Sequence, residues 1–497
     1  MHHTSSYLIA FCVYFIIIII LCLIANHRNQ RLSDYVLGGR SLSGPITALG
    51  AGASDMSSWL LLALPGAIFV SGMNHIWMPI GLLIGAYCNW RFLSKRLRIY
   101  TEVANDSLTI PSYLDHRFKR YSHYIRACSA IIILIFFTIY CASSFVSGGL
   151  LFQVAFGLTF HQSLLISSII ILTYTMIGGF LAINWIDFFQ GTLMLMTLII
   201  VPLTTITHLH NQHTLYNELN HLPLDYFNPI KNISIISIIS LLAWGLGYFG
   251  QPHILTRFMA IKSPNHLPQA RRICTSWMFL SLLGATATGI AGRIFFDSGL
   301  ANPDETFLYL TESLFSPIIS GILFSAVLSA MMSTVAAQLL TSSSALIADF
   351  YAVFIRKSAS QKELVIIARL CVIISSAAAL HLALNEKNTL FLLVKYAWSG
   401  IGASFGPIII ASLFWKRTTS QGAIAGITIG AITVILWKTF LSPLGCFWQL
   451  NEIIPGFIFS CIAIIIASLL SNKPQASVVN EFEQVLQLNH QNNTQNI

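Results

Sequence analysis

Two stretches of this chain put polar chemistry inside apolar surroundings. Gly50-Ala-Gly-Ala-Ser-Asp55-Met-Ser-Ser-Trp59 places small residues, hydroxyls and one carboxylate within an apolar run. Trp244-Gly-Leu-Gly-Tyr-Phe-Gly-Gln-Pro252 interleaves aromatics with glycines and ends on a proline. Glycine and proline weaken a helix and free backbone groups. In hydrocarbon such a break survives only where it is buried in protein or lines a wet cavity. A carboxylate at a helix centre costs roughly 2.5–3.5 kcal/mol on insertion scales, so Asp55 needs a cation or several donors. Sodium is a hard cation that takes oxygen ligands. Unwound carbonyls, hydroxyls and a nearby carboxylate supply them. A third patch, Ser329-Ala-Met-Met-Ser333-Thr334, offers two more hydroxyls to the same ion, unless Ser333 and Thr334 bond back to their own helix carbonyls.

Other residues carry weaker signals. Trp59, Tyr140, Trp244 and Tyr248 sit at or near the interruptions. They are candidates to wall an apolar ring and face a cation; helix packing or an interfacial belt is the plainer reading. Asp187 opens the sixth apolar segment, as a gate or ion-path residue or only as a helix-start charge. His208, His210 and His213 read better as a solvated loop than as a metal site. Lys395 reads as a snorkelling cation. The nine cysteines include no CxxC pair and read as buried hydrophobes. Neither a P-loop nor a nucleophile–base motif occurs, which disfavours an enzyme or an ATP-driven pump. No cofactor is expected apart from a coupling ion. A sensor that binds without transporting normally needs a signalling domain, and residues 471–497 are too few for a globular one.

These residues need elements that hold them at membrane depth. Of 497 residues, 55% are hydrophobic and 9% charged, against about 25% charged in soluble domains. The net charge of +9 then reads as orientation in the bilayer, not nucleic-acid binding. Continuous runs such as Ile16–Ile20 and Ile131–Ile135 point to helices, since barrel strands alternate. Thirteen spans are predicted, near 7–25, 45–70, 74–94, 126–156, 162–184, 186–207, 232–258, 272–297, 317–347, 364–384, 390–415, 422–441 and 452–470. The first lacks a basic n-region and a cleavage site and is kept as a span. One set of loops holds Arg28, Arg31, Arg40, Lys95, Arg96, Arg98, Arg117, Lys119, Arg120, Lys262, Arg271, Arg272, Arg356, Lys357, Lys362, Lys416 and Arg417. The other holds chiefly Lys231 and Lys387, with Asp297, Asp304, Glu305 and Glu312. The positive-inside rule then places the N-terminus outside and the C-terminus in the cytoplasm. Interrupted helices five spans apart point to inverted repeats around a midplane site, with close packing of small residues as the alternative. The expected division is 1–44 (first helix and cytoplasmic loop), 45–208 and 209–415 (the two halves), 416–470 (two additional helices) and 471–497, a polar cytoplasmic tail expected to be disordered.

Leu37-Gly-Gly-Arg40-Ser-Leu, Ala51-Gly-Ala-Ser-Asp-Met-Ser57, Phe137-Thr-Ile-Tyr-Cys-Ala-Ser143, Trp244 through His253 and Ala397-Trp398 together resemble the sodium/solute symporter family, and within it the bacterial members that carry proline. The likeness runs from the first span to the thirteenth. It implies an all-α integral membrane protein with a leucine-transporter-like five-helix inverted repeat and discontinuous helices. It implies sodium-coupled symport of L-proline by alternating access across the bacterial inner membrane, with no nucleic acid and no obligatory protein partner. The resemblance further implies a sodium site of backbone oxygens from Ala53, Met56 and Ala330 with the hydroxyls of Ser333 and Thr334. It implies that Asp55 and Ser57 couple the ion to substrate. Trp59, Tyr140, Trp244, Tyr248 and Pro252 would lie near the proline, and Arg40 and Asp187 on the inner pathway. Ser58 departs from a glycine of the pattern, adding a hydroxyl beside the site, and Lys395 from a small or neutral residue.

Overall fold

The computed structural model describes residues 2–26, 37–177, 180–296, 299–356, 359–385 and 389–494. Arg28, Arg31, Lys357, Lys387 and Asp297, which carry part of the loop-charge argument, lie outside the described residues. Among the described residues the ordered elements are helical, and the only β-type pairing is an isolated bridge between Leu42 and Ile261.

Each predicted span interval is occupied by a helix or by a pair of helical pieces. The first is α1 (His2–Asn26). The second is split into α2 (Gly44–Met56) and α3 (Ala63–Ser71), with a tight turn at Ser58–Leu60 between them. Next come α4 (Trp77–Cys88), α5 (Ser94–Val103), α6 (Ile110–Phe118), α7 (Ser122–Phe156), α8 (Phe160–Ile177) and α9 (Phe180–Asn211). The seventh interval holds α10 (Ile235–Leu242), a 3-10 stretch Ala243–Gly250, and α11 (Pro252–Ala260). Then follow α12 (Leu267–Phe295), α13 (Thr306–Leu314), α14 (Pro317–Ser344), α15 (Gln361–Ala383), α16 (Leu390–Phe414), α17 (Ser420–Leu436), α18 (Ile453–Leu470) and α19 (Ala476–Thr494). Among the described residues ten helices are long and apolar enough to cross a membrane, and the pair Ile235–Gly250 and Pro252–Ala260, bent by 46°, makes an eleventh. α8 is a shorter apolar helix.

The helices sort by depth. The spans of α14 and α16 bury 83% of their most apolar stretch, whereas α1, α15, α17 and α18 bury 33%. The buried pair carry small and hydroxyl residues such as Ser329, Ser333, Ser399 and Ser404 deep in the protein. The peripheral ones expose isoleucine and leucine, for example Ile16, Ile20, Ile374 and Ile466. In lipid that is the expected arrangement: small and polar residues knit helices together, and long aliphatics meet the acyl chains.

Many of the cationic connections gather at one end. Arg40 bonds to Asp106, Thr101 and the carbonyls of Met259 and Ser107. Arg98 bonds to the Ile261 carbonyl, and Arg117, with no exposed surface, to that of Ser412.

Three expectations change. The tail is ordered over its described part: α19 is a helix that buries Val478, Phe482 and Val485, with Glu481 and Glu483 paired to Lys119 and Lys416. Those three apolar residues fall at i, i+4 and i+7, a stripe that a composition rich in Gln and Asn conceals. Lys395 is not a lone cation: its ammonium pairs with buried Glu452 at 3.2 Å. Asp187 does not open its helix, because α9 starts at Phe180 and the carboxylate lies beyond the first turn, where a helix-start charge has no effect.

Candidate functional site

α2 stops at Met56 because Ser57 takes φ 49° and ψ −174°, a conformation essentially reserved for glycine. The last carbonyls of α2 consequently have no following turn to donate to them. The break is also densely polar. Ser57 Oγ accepts from the Trp59 backbone N–H at 3.2 Å, and Tyr140 on α7 donates to the Asp55 carbonyl at 3.4 Å. Ser58, the departure from the pattern, donates to Ser147 on α7 at 2.6 Å, so its hydroxyl serves helix packing.

The second interruption is built differently. Gly245 stands where a Cβ would lie 2.2 Å from the Gly81 carbonyl oxygen, and Gly85 where one would lie 2.1 Å from the Gly245 carbonyl oxygen. The 3-10 stretch thus lies backbone to backbone on α4. Carbonyls along it are met by side chains. Trp398 Nε1 donates to Trp244 O at 2.8 Å, and Asn89 Nδ2 to Tyr248 O at 2.9 Å. Gln251, at the bend, donates to Trp398 O at 3.3 Å. Trp398 and Asn89 are polar handles on buried side chains; as isolated residues they gave no sign of this task.

The two breaks face each other across a small cavity lined by Asp55, Met56, Trp59, Leu82, Tyr140, Trp244, Tyr248, Val394 and Trp398. Trp59 and Trp244 stack with centroids 5.8 Å apart and planes at 27°. Tyr248 meets Trp398 edge-on at 5.1 Å. Tyr248 donates its hydroxyl to Asp55 Oδ2, while Asp55 Oδ1 is buried with no partner. The predicted aromatics and Asp55 are therefore brought together. Pro252 is buried as the first residue of α11 and does not line this cavity.

Ala330, Ser333 and Thr334 are fully buried on α14, which packs against α2 and the Ser58–Leu60 turn. The hydroxyls of Ser333 and Thr334 have no hydrogen-bond partner, so the back-bonded alternative is not the one adopted. Ser333 neighbours the Asp187 carboxyl. Asp187 Oδ2 pairs with Arg257 Nη2 at 3.0 Å, and both side chains are buried. Arg257 also donates to its own helix at His253 O, 2.5 Å away. Sequence reading passed over Arg257, although a cation inside the predicted seventh span is itself a signal. Arg257 borders a second small cavity with Thr109, Phe180, Ala337 and Ser344. Arg40 lies apart from all of this, in the cationic end.

The chain matches the Sodium:solute symporter family over residues 35–430. It is 47% identical over 461 residues to the high-affinity proline transporter PutP of Bacillus subtilis, covering 92% of this chain and 97% of the relative. It is 45% identical over 486 residues to the sodium/proline symporter of Escherichia coli, covering 96% of each. Among solved structures, a Na+-coupled sialic acid symporter in a substrate-bound outward-open state superposes with a TM-score of 0.80 at 17% identity, covering 95% of this chain and 99% of that one. That likeness shows the leucine-transporter-like fold.

Proposed function

This chain belongs to the sodium:solute symporter family, and from that premise we propose that it carries L-proline into the cell together with sodium by alternating access. It is a secondary transporter of the multi-pass membrane type. The observation that carries the site is the buried, unpartnered Asp55 Oδ1 between an aromatic cavity and a helix break. A buried polar atom left unpaired is costly, and a bound cation or ammonium removes that cost.

In this reading the freed carbonyls of Ala53 and Met56, the Ala330 carbonyl and the idle hydroxyls of Ser333 and Thr334 receive sodium. Asp55 and Ser57, at the break itself, link the ion to the cavity. Trp59, Tyr140, Trp244 and Tyr248 enclose the proline ring and its ammonium. Pro252 acts indirectly by setting the start of α11. Sodium binding organises the break and so tightens proline binding, and by linkage proline tightens sodium equally. Inward movement of one positive charge gains about 2.3 kcal/mol per 100 mV. The cavity beside Arg257 is assigned to the inner pathway with Asp187, and Arg40, farther off in the cationic end, to the same pathway. The loop charges support a cytoplasmic C-terminus and an outside N-terminus in a bacterial inner membrane. Residues 45–208 and 209–415 are assigned as the two inverted halves, each opening with a broken helix.

The test is labelled-proline uptake into proteoliposomes under an inward sodium gradient, with a potassium gradient as control. Accumulation above equilibrium only with sodium, competed by unlabelled proline, is the expected result. Sodium-driven accumulation of a different solute would move the substrate and keep the family.

A further inference from the structure

α1 precedes the first of the two assigned halves, yet it places a buried phenol hydroxyl between α9 and α14. Tyr14 is 4% exposed. Its hydroxyl accepts from Gln190 Nε2 at 2.7 Å and from Ser329 Oγ at 3.1 Å, and donates toward Met332 Sδ at 3.7 Å. A phenol has one proton and two lone pairs, so its capacity is full. The ring is held in place by Phe189, stacked at 6.3 Å, and by Phe15 at 5.4 Å.

The two donors sit at informative places. Gln190 lies on α9 three residues after Asp187, and Ser329 on α14 four residues before Ser333. Residues three and four apart share a helix face. The Tyr14 hydroxyl therefore joins α9 to α14 one turn away from where the Asp187 carboxylate and the unpartnered Ser333 and Thr334 hydroxyls are displayed. Ser329 is drawn to Tyr14 instead of bonding back to its own helix. Nothing in the coupling scheme above uses this tyrosine.

We propose that Tyr14 is a positioning residue for the cation: by bonding Gln190 and Ser329 at once, it sets the spacing of α9 and α14 and hence the placement of the Ser333 and Thr334 oxygens. The inference rests on the sodium site assigned above. Removing the hydroxyl leaves two buried groups to find new partners and frees the helices to shift. The substrate cavity, walled by other helices, is untouched.

The experiment measures sodium half-saturation of proline uptake in proteoliposomes for Tyr14→Phe, Ser329→Ala and Ser333→Ala, with proline KM taken at saturating sodium. Tyr14→Phe is expected to raise the sodium half-saturation about fivefold, the worth of one ordinary hydrogen bond, with proline KM changed less than twofold. Ser329→Ala, which keeps the Tyr14–Gln190 bond, should shift it in the same direction by less, and decides the matter if Tyr14→Phe does not assemble. If Ser333→Ala raises the sodium requirement while Tyr14→Phe and Ser329→Ala do not, the positioning role is overturned and the sodium site stands. If Ser333→Ala has no effect either, the sodium site itself is wrong. Equal rises in the sodium half-saturation and the proline KM would mark a general packing defect and also overturn the proposal.

Discussion

The two broken helices do the same thing by opposite means. At the first, a serine is forced into a backbone conformation that glycine alone adopts readily, and the neighbouring groups are a carboxylate and hydroxyls. At the second, none of Gly245, Gly247 or Gly250 has a positive φ. Their missing side chains let backbone touch backbone on α4 and α16 and leave room for the Trp398 indole. One break is chemical, holding polar atoms in readiness; the other is steric, seating aromatic walls at close range. Glycine in a membrane helix thus need not mean flexibility, and the strained position here is not a glycine.

The largest expected effect tests the steric side. Gly245→Val drives a side chain into the Gly81 carbonyl and should abolish assembly, read as loss of monodisperse protein in detergent. A well-folded, active Gly245→Val protein would end the close-packing account. Next is the ion pair beside the second break. Asp187→Asn leaves Arg257 buried without its partner and should cost about 3–5 kcal/mol, seen as a lowered thermal midpoint. Adding Arg257→Leu should recover much of it; no recovery would mean that the pair is held for more than charge balance. On the chemical side, Asp55→Asn should assemble but raise the sodium half-saturation about 100-fold, which corresponds to about 2.7 kcal/mol. Unchanged sodium activation would remove Asp55 from coupling. The smallest effect belongs to Ser57→Gly. Relief of backbone strain of about 1–3 kcal/mol offsets the lost acceptor for the Trp59 N–H. Stability should hold or rise slightly while sodium and proline half-saturation drift apart. A clear loss of stability would show that the serine hydroxyl, not the backbone, holds the break.

Legibility differed between these features for physical reasons. Asp55 stood out because a lone carboxylate among apolar residues is costly in a membrane, whatever surrounds it. The seventh-span Arg257 obeyed the same logic but lay near a predicted span end, where cations are ordinary. Tyr14, Asn89 and Gln251 are unexceptional in sequence and acquire their roles only from what lies across the interface. The α19 stripe of Val478, Phe482 and Val485 was readable, and was masked by the polar residues between.

What this sequence determined by itself is what a bilayer demands of any chain: apolar segments of spanning length, cations sorted by loop, and polar groups confined to places with a reason to exist. Tertiary structure alone decided which freed carbonyl meets which side chain, that Ser333 and Thr334 stay idle while Ser329 is engaged, and that Asp187 answers Arg257 across helices. The first set follows from transfer energies, which each residue carries with it. The second depends on distances between elements far apart in the chain, and no local pattern encodes those.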